Sequence, residues 1–156
     1  MNHNEINILS KEELNIQIAK LRNEYFENHL EECYVEGVTP DGLDGWSGFT
    51  CPRCNNNSNN YCIQNNYTNN LNHTWDLVDE MISDKTRINH DLFIEYWSDK
   101  EWIVSDFQAG NFPKDLKIKD KPRVIGNCDG LETGKPDICL AICRAWLYWK
   151  TNDERY

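Results

Sequence analysis

The sequence predicts an α+β fold in which a short antiparallel sheet is layered with helices as an α-β-α sandwich, with an N-terminal helix and a CxxC loop. Two stretches of helical periodicity precede a hairpin pattern, and an almost wholly apolar segment follows it near the C-terminus. The chain has 156 residues, of which 39% are hydrophobic and 12% aromatic. This size and composition suit one domain whose core forms without disulfides.

The first helix is predicted to run from Lys11 to Cys33. Ser10 and Glu13 have the spacing of a capping box, in which each side chain bonds the other residue's backbone amide. Apolar residues then recur at helical spacing, at Leu14, Ile18, Leu21, Tyr25 and Leu30. The following segment, 36–60, is rich in glycine, proline and asparagine, and we expect it to be a loop.

The middle of the chain predicts a helix followed by three strands. Asn70 suits the N-cap of the helix. The apolar stripe of this helix is expected to contain Leu71, Trp75, Val78, Met81 and Ile82. Leu92–Trp97 and Trp102–Phe107 are rich in aromatic and β-branched residues and predict a hairpin, and Val124–Cys128 predicts a further strand.

The last element is predicted to be a buried helix from Pro136 to Lys150. Pro136 and Asp137 suit its first turn, and the positive Lys150 suits its last turn. The residues between them leave almost no polar face, so the helix should be buried on all sides. Arg144 is the exception within it.

Two motifs resemble a known family. The segment Asn66–Met81 is similar to the opening motif of the phage ABA sandwich family, a Tyr-Thr pair followed by an amphipathic helix with an early Trp. Leu140–Ala145 is similar to its closing helix, and Trp102 opens the second hairpin strand as in that family. The resemblance covers about 67–149. It implies a phage or prophage protein with an α-β-α layered fold and no established reaction.

The resemblance divides the chain into three parts. Residues 1–66 are expected to hold the N-terminal helix and the cysteine-containing loop, packed on the main domain. Residues 67–150 are expected to form the phage ABA sandwich-like domain, and 151–156 a tail.

Cys51 and Cys54 form a CxxC motif, which has the shape of a zinc knuckle. His29 and Cys33 are spaced to share one face of the predicted first helix and are the expected second pair of ligands, with Cys62 as an alternative. Zn²⁺ would then be structural and would pin that helix to the sheet. Two free thiols in a loop, or a redox pair, are the other interpretations of the motif, and no preceding strand supports the redox pair.

Three other cysteines, Cys128, Cys139 and Cys143, are expected to pack in the core because they lie in apolar segments. A cysteine nucleophile would need a base nearby, and no histidine lies near these three. The six tryptophans are expected to be mostly core residues as well. Trp46 is the one most expected at the surface, because it lies in a glycine-rich loop.

Two basic features stand out in an acidic chain. The segment Lys114–Arg123 holds five basic residues, and its alternating lysines would share one face of an extended strand, either as an anion site or as protection of a sheet edge. A buried Arg144 must pair with an acidic side chain or with an anionic ligand, and the alternative is that Arg144 is the one solvent-exposed position of the helix. We take as candidate ligand-binding residues Trp46, Arg53, Tyr67, Lys117, Lys119 and Arg144.

The net charge of −10 disfavours binding to bulk DNA or RNA and to anionic membranes. The sequence has no apolar run of roughly 18 residues, and its N-terminus lacks the basic and apolar regions of a signal peptide. We therefore expect the host cytoplasm as its location.

No nucleophile, base and orienting group can be named together, so the sequence predicts a non-enzymatic protein. The leading hypothesis is a phage accessory protein that sequesters a small nucleotide-type ligand to counter host defence, because arginine, lysines and surplus aromatics suit a phosphate and a base. The alternatives are a zinc-stabilised acidic module that inhibits a host protein, and a structural phage protein. Zn²⁺ is the only cofactor expected, and a homo-oligomer is compatible with each hypothesis.

Overall fold

The structure is a computed structural model that describes residues 1–27, 61–63, 65–84, 90–97, 100–108, 123–130 and 135–152. The helices are α1 (His3–Asn7), α2 (Lys11–Leu21), α3 (Leu71–Ser83) and α4 (Ile138–Thr151). The strands are β1 (Tyr25–Glu27), β2 (Tyr61–Ile63), β3 (His90–Trp97), β4 (Glu101–Gln108) and β5 (Arg123–Asp129). These elements confirm the predicted α+β fold. None of the described helices has the length and apolar character needed to cross a membrane.

The main sheet is antiparallel with strand order β3-β4-β5, and β1 pairs with β2 in a separate two-stranded sheet. The register places Ile94 opposite Val104, and Val104 opposite Gly126. An irregularity in the pairing with β5 falls between Val104 and Ser105. The hairpin and the further strand therefore form where the aromatic and β-branched patterns predicted them.

Helix α4 packs directly on β5 and β4, and the other three helices pack against α4. All residues of α4 from Cys139 to Leu147 are buried, which confirms the prediction of a helix apolar on all sides. Asp137 is the N-cap rather than part of the first turn, because its carboxylate accepts from the amides of Cys139 and Leu140. Ile6, Leu14 and Leu77 bring the other helices into the same core.

Gly126 lets α4 approach the sheet closely. A Cβ atom at this position would lie 2.3 Å from the Ala141 carbonyl oxygen and 2.4 Å from the Ala145 amide nitrogen. Real carbon atoms do not approach backbone atoms this closely, so only glycine fits here. Ala141 and Ala145 are one helical turn apart, and their small side chains complete the contact.

The described helices that contact the main sheet, α3 and α4, lie on the face that carries Val104. The opposite face includes Phe93, Trp97 and Val124, which are 40%, 51% and 43% exposed. The second helical layer expected of an α-β-α sandwich is not found in the described ranges and stays a prediction. The CxxC loop lies outside the described residues.

The helix predicted to begin at Lys11 is α2, and it ends at Leu21 and not at Cys33 as predicted. Its predicted capping box is present: the Ser10 hydroxyl accepts from the Glu13 amide at 3.2 Å, and the Glu13 carboxylate accepts from the Ser10 amide at 2.9 Å. At the other end, Asn23 has a φ of 59°. The next amide, that of Glu24, donates to the Ala19 carbonyl at 2.8 Å, which is a Schellman ending.

Asparagine tolerates the left-handed conformation that stops a helix, and the chain then turns into β1. Helix α2 ends before His29 and Cys33, and their role as metal ligands stays a prediction. Both residues lie outside the described ranges.

Helix α1 was not predicted. The Asn2 side chain accepts from the Glu5 amide at 3.0 Å, and the Glu5 carboxylate accepts from the Asn2 amide at 2.8 Å. This second capping box has an Asn in place of the usual Ser or Thr. Ile6, which is 1% exposed, anchors the short helix to the core.

Helix α3 begins after Asn70 as predicted, but a different stripe is buried. Its buried residues are Thr74, Leu77, Val78 and Met81. Leu71, Trp75 and Ile82 are 47%, 44% and 65% exposed, so their assignment to the apolar stripe was wrong. Thr74 can be buried because its hydroxyl donates to the carbonyls of Tyr67 and Asn70.

The tryptophans divide between core and surface. Trp146 and Trp149 are buried and Trp102 packs against the core, as predicted. Trp75 and Trp97 are about half exposed, which the prediction of mostly core tryptophans did not foresee.

Cys128, Cys139 and Cys143 are buried, which confirms their predicted place in the core. Burial raises the pKa of the Cys139 thiol and raises the pKa of the Cys143 thiol further. Because the thiolate is the reactive form, Cys139 and Cys143 are poor nucleophiles.

Candidate functional site

A polar cleft lies where the first turn of α2 and strand β2 meet the turn that leads into α3. Its volume is about 340 Å³, within the size range of small-molecule sites. The lining residues, all polar except Ile63, are Lys11, Glu12, Asn15, Tyr61, Ile63, Asn65, Asn66, Thr68 and Asn69.

The turn that forms the cleft is fixed at Tyr67. The Tyr67 side chain is fully buried, and its amide donates to the Asn15 carboxamide at 2.7 Å. Asn15 also donates to the Asn65 carbonyl at 3.4 Å. On the other side, the Thr74 hydroxyl donates to the Tyr67 carbonyl. Helices α2 and α3 therefore hold the backbone of this turn from both sides.

The Tyr67 hydroxyl donates a hydrogen bond to a carboxylate that lies beneath the turn. Tyr67 donates to Glu24, and the Asn65 amide group donates to the same carboxylate at 3.1 Å. Arg22 donates to the other Glu24 oxygen at 3.0 Å, and its guanidinium lies 5.5 Å from the Tyr67 ring centroid. This network locks the wall of the cleft to the C-terminus of α2.

The network shifts the pKa of two of its members. Burial and the hydrogen bond to Glu24 raise the pKa of the Tyr67 hydroxyl well above its ordinary value. Burial alone would raise the pKa of Glu24, but the hydrogen bonds from Tyr67, Arg22 and Asn65 outweigh it and hold that pKa below its ordinary value. At neutral pH Tyr67 is therefore protonated and donates a hydrogen bond to Glu24, which is a carboxylate.

Glu80 connects the same arginine to the core helix. Arg22 donates to Glu80 at 2.7 Å, and the Trp146 indole donates to the same oxygen at 3.2 Å. Lys150 donates to the other Glu80 oxygen at 3.0 Å. Helices α2, α3 and α4 are thus joined through the Glu80 carboxylate.

The solvent side of the cleft carries exposed carboxamides next to a cation. Asn69 donates to the Asn66 carboxamide oxygen at 3.3 Å, and both residues are exposed. Lys11 donates to the Asn69 oxygen at 3.3 Å and to the Asp137 carboxylate at 2.6 Å. Each carboxamide offers a donor and an acceptor, so the cleft can bond a ligand with a mixed hydrogen-bonding edge.

Two predicted ligand residues lie in the described ranges. Tyr67 is a buried support of the cleft, next to the lining residues. Arg144 is 5% exposed and donates to the carbonyls of Asn127 and Asn7, at 2.9 and 3.1 Å, so it ties β5 and α1 to α4. An anion-binding role for Arg144 stays a prediction.

The remaining candidates fall outside the described ranges and also stay predictions. The ligand candidates among them are Trp46, Arg53, Lys117 and Lys119. The metal candidates are Cys51, Cys54, His29 and Cys33, together with the side chain of Cys62. Within the described ranges, no group of three or more histidines, cysteines and acidic residues is placed to hold a metal ion.

Sequence reasoning did not single out the asparagines of the cleft. Asn65, Asn66 and Asn69 flank Tyr67 and Thr68 just before α3, and this local density of carboxamides at a helix entrance was the available signal. Asn15 gave no signal, because its role depends on a contact with a segment about fifty residues away.

Comparison of the chain with protein-family models, with curated proteins and with solved structures gave no match. The resemblance to the phage ABA sandwich family therefore depends on its motifs alone and stays a prediction. What the cleft can do is inferred from its own geometry.

Proposed function

We propose that the protein binds and sequesters a small nucleotide-type ligand in the polar cleft, without converting it chemically. The observation that carries this proposal is a rigidly supported cleft whose open side presents the carboxamides of Asn66 and Asn69 beside the Lys11 ammonium.

Carboxamides suit the recognition of a base. The edge of a nucleobase alternates donors and acceptors, and asparagine pairs with such an edge through two hydrogen bonds. The Tyr61 ring lines the cleft and stacks on Tyr25 with a centroid distance of 5.5 Å. An aromatic ring in this position supports stacking of a base.

The charges around the cleft favour a ligand with few phosphates. Lys11 is the cation among the described lining residues, and it is already paired with Asp137 at 2.6 Å. Glu12 adds a second carboxylate to the rim. A nucleotide with one negative charge per phosphate, such as a cyclic nucleotide, would meet less repulsion here than a nucleoside triphosphate.

The biological setting belongs to the same proposal. The motifs shared with the phage family support a phage protein that acts in the host cytoplasm. The net charge of −10 disfavours bulk nucleic acid, so a small nucleotide is the better-suited target. Capture of a nucleotide signal of host defence would need binding alone, which agrees with the absence of a nameable catalytic set from the sequence.

A thermal-shift panel of cyclic mononucleotides, cyclic dinucleotides and ADP-ribose tests this function. At about 100 times Kd, a ligand should add ~2.7 kcal/mol and raise Tm by roughly 5–10 °C. Asn66→Ala and Asn69→Ala should each weaken binding about two- to tenfold, the worth of one hydrogen bond. Asn72→Ala is the matched control, because Asn72 is exposed on α3 outside the cleft.

Two results would contradict the proposal. No stabilisation by any nucleotide of the panel would reject nucleotide binding. Stabilisation that Asn66→Ala and Asn69→Ala leave unchanged would place the ligand away from the cleft.

Protein binding is a second candidate function, supported by the aromatic residues that β3 exposes. Phe93 and Trp97 are 40% and 51% exposed on the face of the main sheet opposite α3 and α4, and exposed aromatics are enriched at protein interfaces. Trp97→Ser should remove a bound partner in a pull-down from host lysate. Trp75→Ser, which changes a similarly exposed tryptophan on α3, should not. Identical sets of bound proteins for both variants would reject this surface.

A further inference from the structure

The Lys11 ammonium of the polar cleft is shared between two partners from distant parts of the chain. It donates to the Asp137 carboxylate at 2.6 Å and to the Asn69 carboxamide oxygen at 3.3 Å. Lys11 and Asn69 line the cleft, whereas Asp137 is not among its described lining residues. A carboxylate from outside the lining therefore holds the cation that a bound phosphate would use.

Asp137 is itself fixed by the start of α4. Its Oδ1 atom accepts from the amides of Cys139 and Leu140, at 2.9 and 3.4 Å, while its Oδ2 atom accepts from Lys11. The side chain is 22% exposed. Because the two capping bonds set the position of the carboxylate, a ligand that enters the cleft must share Lys11 with Asp137 or draw it away.

This pairing decides what a phosphate gains in the cleft. The charges of Lys11 and Asp137 offset each other, and the other charged residue among the described lining residues is Glu12, a carboxylate. Lys135 is exposed two residues before Asp137 and is not one of those lining residues. Each further negative charge on a ligand is therefore repelled by acids without a second cation in the described lining to offset them.

We propose that Asp137 determines the charge specificity of the cleft: by holding Lys11, it admits neutral and singly charged nucleoside derivatives and rejects ligands with several phosphate charges. This inference rests on the proposed function, because it concerns the same cleft. Asp137 acts through Lys11 and is a positioning residue. Holding Lys11 lowers the affinity for every anion, and more so for a more highly charged one, which is how a site rejects a competitor that carries the same base.

The test compares a nucleoside with its 3′,5′-cyclic monophosphate and its 5′-monophosphate by isothermal titration calorimetry, in an adenosine and a guanosine series. At about pH 8 these probes carry no charge, one and two negative charges. Asp137→Asn should leave the Kd of the nucleoside unchanged. It should lower the Kd of the cyclic monophosphate about two- to fivefold and that of the 5′-monophosphate further. Both gains should shrink in about 0.5 M NaCl, because salt screens exposed charges.

The substitution removes the charge of Asp137 and keeps its cap. A carboxamide oxygen can still accept from Cys139 and Leu140, and asparagine caps helices as well as aspartate does. Its amide group would face the Lys11 ammonium as a donor, so Lys11 is released towards the cleft. Asp137→Ser, another preferred N-cap, should shift the charge preference in the same direction, so the test does not depend on one variant.

Two further variants separate Asp137 from a general effect of charge. Asp79→Asn removes an exposed acid on α3 outside the cleft and should leave the ratios of Kd values unchanged. In a Lys11→Met background, Asp137→Asn should give a smaller gain, because no ammonium remains to be released. An equal gain from Asp79→Asn, or an equal gain with and without Lys11, would overturn the inference.

The remaining outcomes distinguish this inference from the function on which it rests. Binding that Asn69→Ala weakens, with a charge preference that Asp137→Asn leaves unchanged, overturns the inference and keeps the proposed function. No binding by any probe of the two series overturns the inference, and a negative thermal-shift panel alongside it overturns the function as well.

Discussion

Gly126→Ala is expected to lower the free energy of unfolding by about 3 kcal/mol, at the upper end of the usual effect of overpacking a core. The added methyl group would meet the Ala141 carbonyl oxygen at 2.3 Å and the Ala145 amide nitrogen at 2.4 Å. Both atoms belong to the backbone of a buried helix, so relief requires α4 to move away from β5. Urea denaturation followed by circular dichroism measures the loss as a lower midpoint at an unchanged slope.

Gly130→Ala is the matched control for this prediction. A Cβ atom at Gly130 would meet the Pro136 Cδ atom at 3.2 Å, which a shift of a few tenths of an ångström relieves. Its expected cost is below about 1 kcal/mol. Equal losses for the two variants would mean that α4 and β5 are not held at the close approach described above.

The buried helix and the sheet could be predicted because their signals are local. The apolar circumference of α4 requires burial wherever the helix lies, and the strand patterns of β3, β4 and β5 are carried by consecutive residues. The cap at Ser10 is equally local, since both of its partners lie within one turn.

The end of α2 could not be predicted from periodicity, because the apolar spacing continues through Tyr25 and Leu30. What decides the outcome is the left-handed Asn23 and the pairing of Tyr25 with Ile63, a partner 38 positions along the chain. Distant pairing overrides a helical pattern that looks complete on its own.

The candidate site was largely hidden for a similar reason. Its side chains come from the start of α2, from β2 and from the turn before α3, and only the folded chain brings these segments together. Asparagines carry no spacing rule comparable to a metal or phosphate motif. The resemblance to the family did draw attention to Tyr67, which supports the wall of the cleft.

Glu24→Ala is expected to lower the free energy of unfolding by about 2–3 kcal/mol, because it leaves a buried donor without its acceptor. The Glu24 side chain is only 14% exposed, and the Tyr67 hydroxyl that donates to it is buried. Arg22 retains its bond to Glu80 at 2.7 Å, so most of the loss should come from Tyr67 and Asn65. Asp76→Ala, an exposed acid on α3, should stay within about 0.5 kcal/mol of the unmodified protein.

Acidification should remove the contribution of Glu24 in the same way. Its folded-state pKa is depressed, so its stabilisation is present above the unfolded-state pKa of about 4.3 and is lost as the pH falls through the folded-state value. Glu13, whose pKa is lowered by hydrogen bonds with Ser10, contributes with the same sign in every variant compared here.

Glu24→Gln removes the titrating group but keeps an oxygen that accepts from Tyr67, while its amide group replaces the oxygen that accepts from Arg22. Denaturation midpoints measured between neutral pH and about pH 3 should fall less steeply for this variant than for the unmodified protein. Parallel curves would show that Glu24 titrates alike in the folded and unfolded chains. In that case the hydrogen bonds beneath the cleft would not hold the carboxylate, and they would not lock the wall of the cleft to the C-terminus of α2.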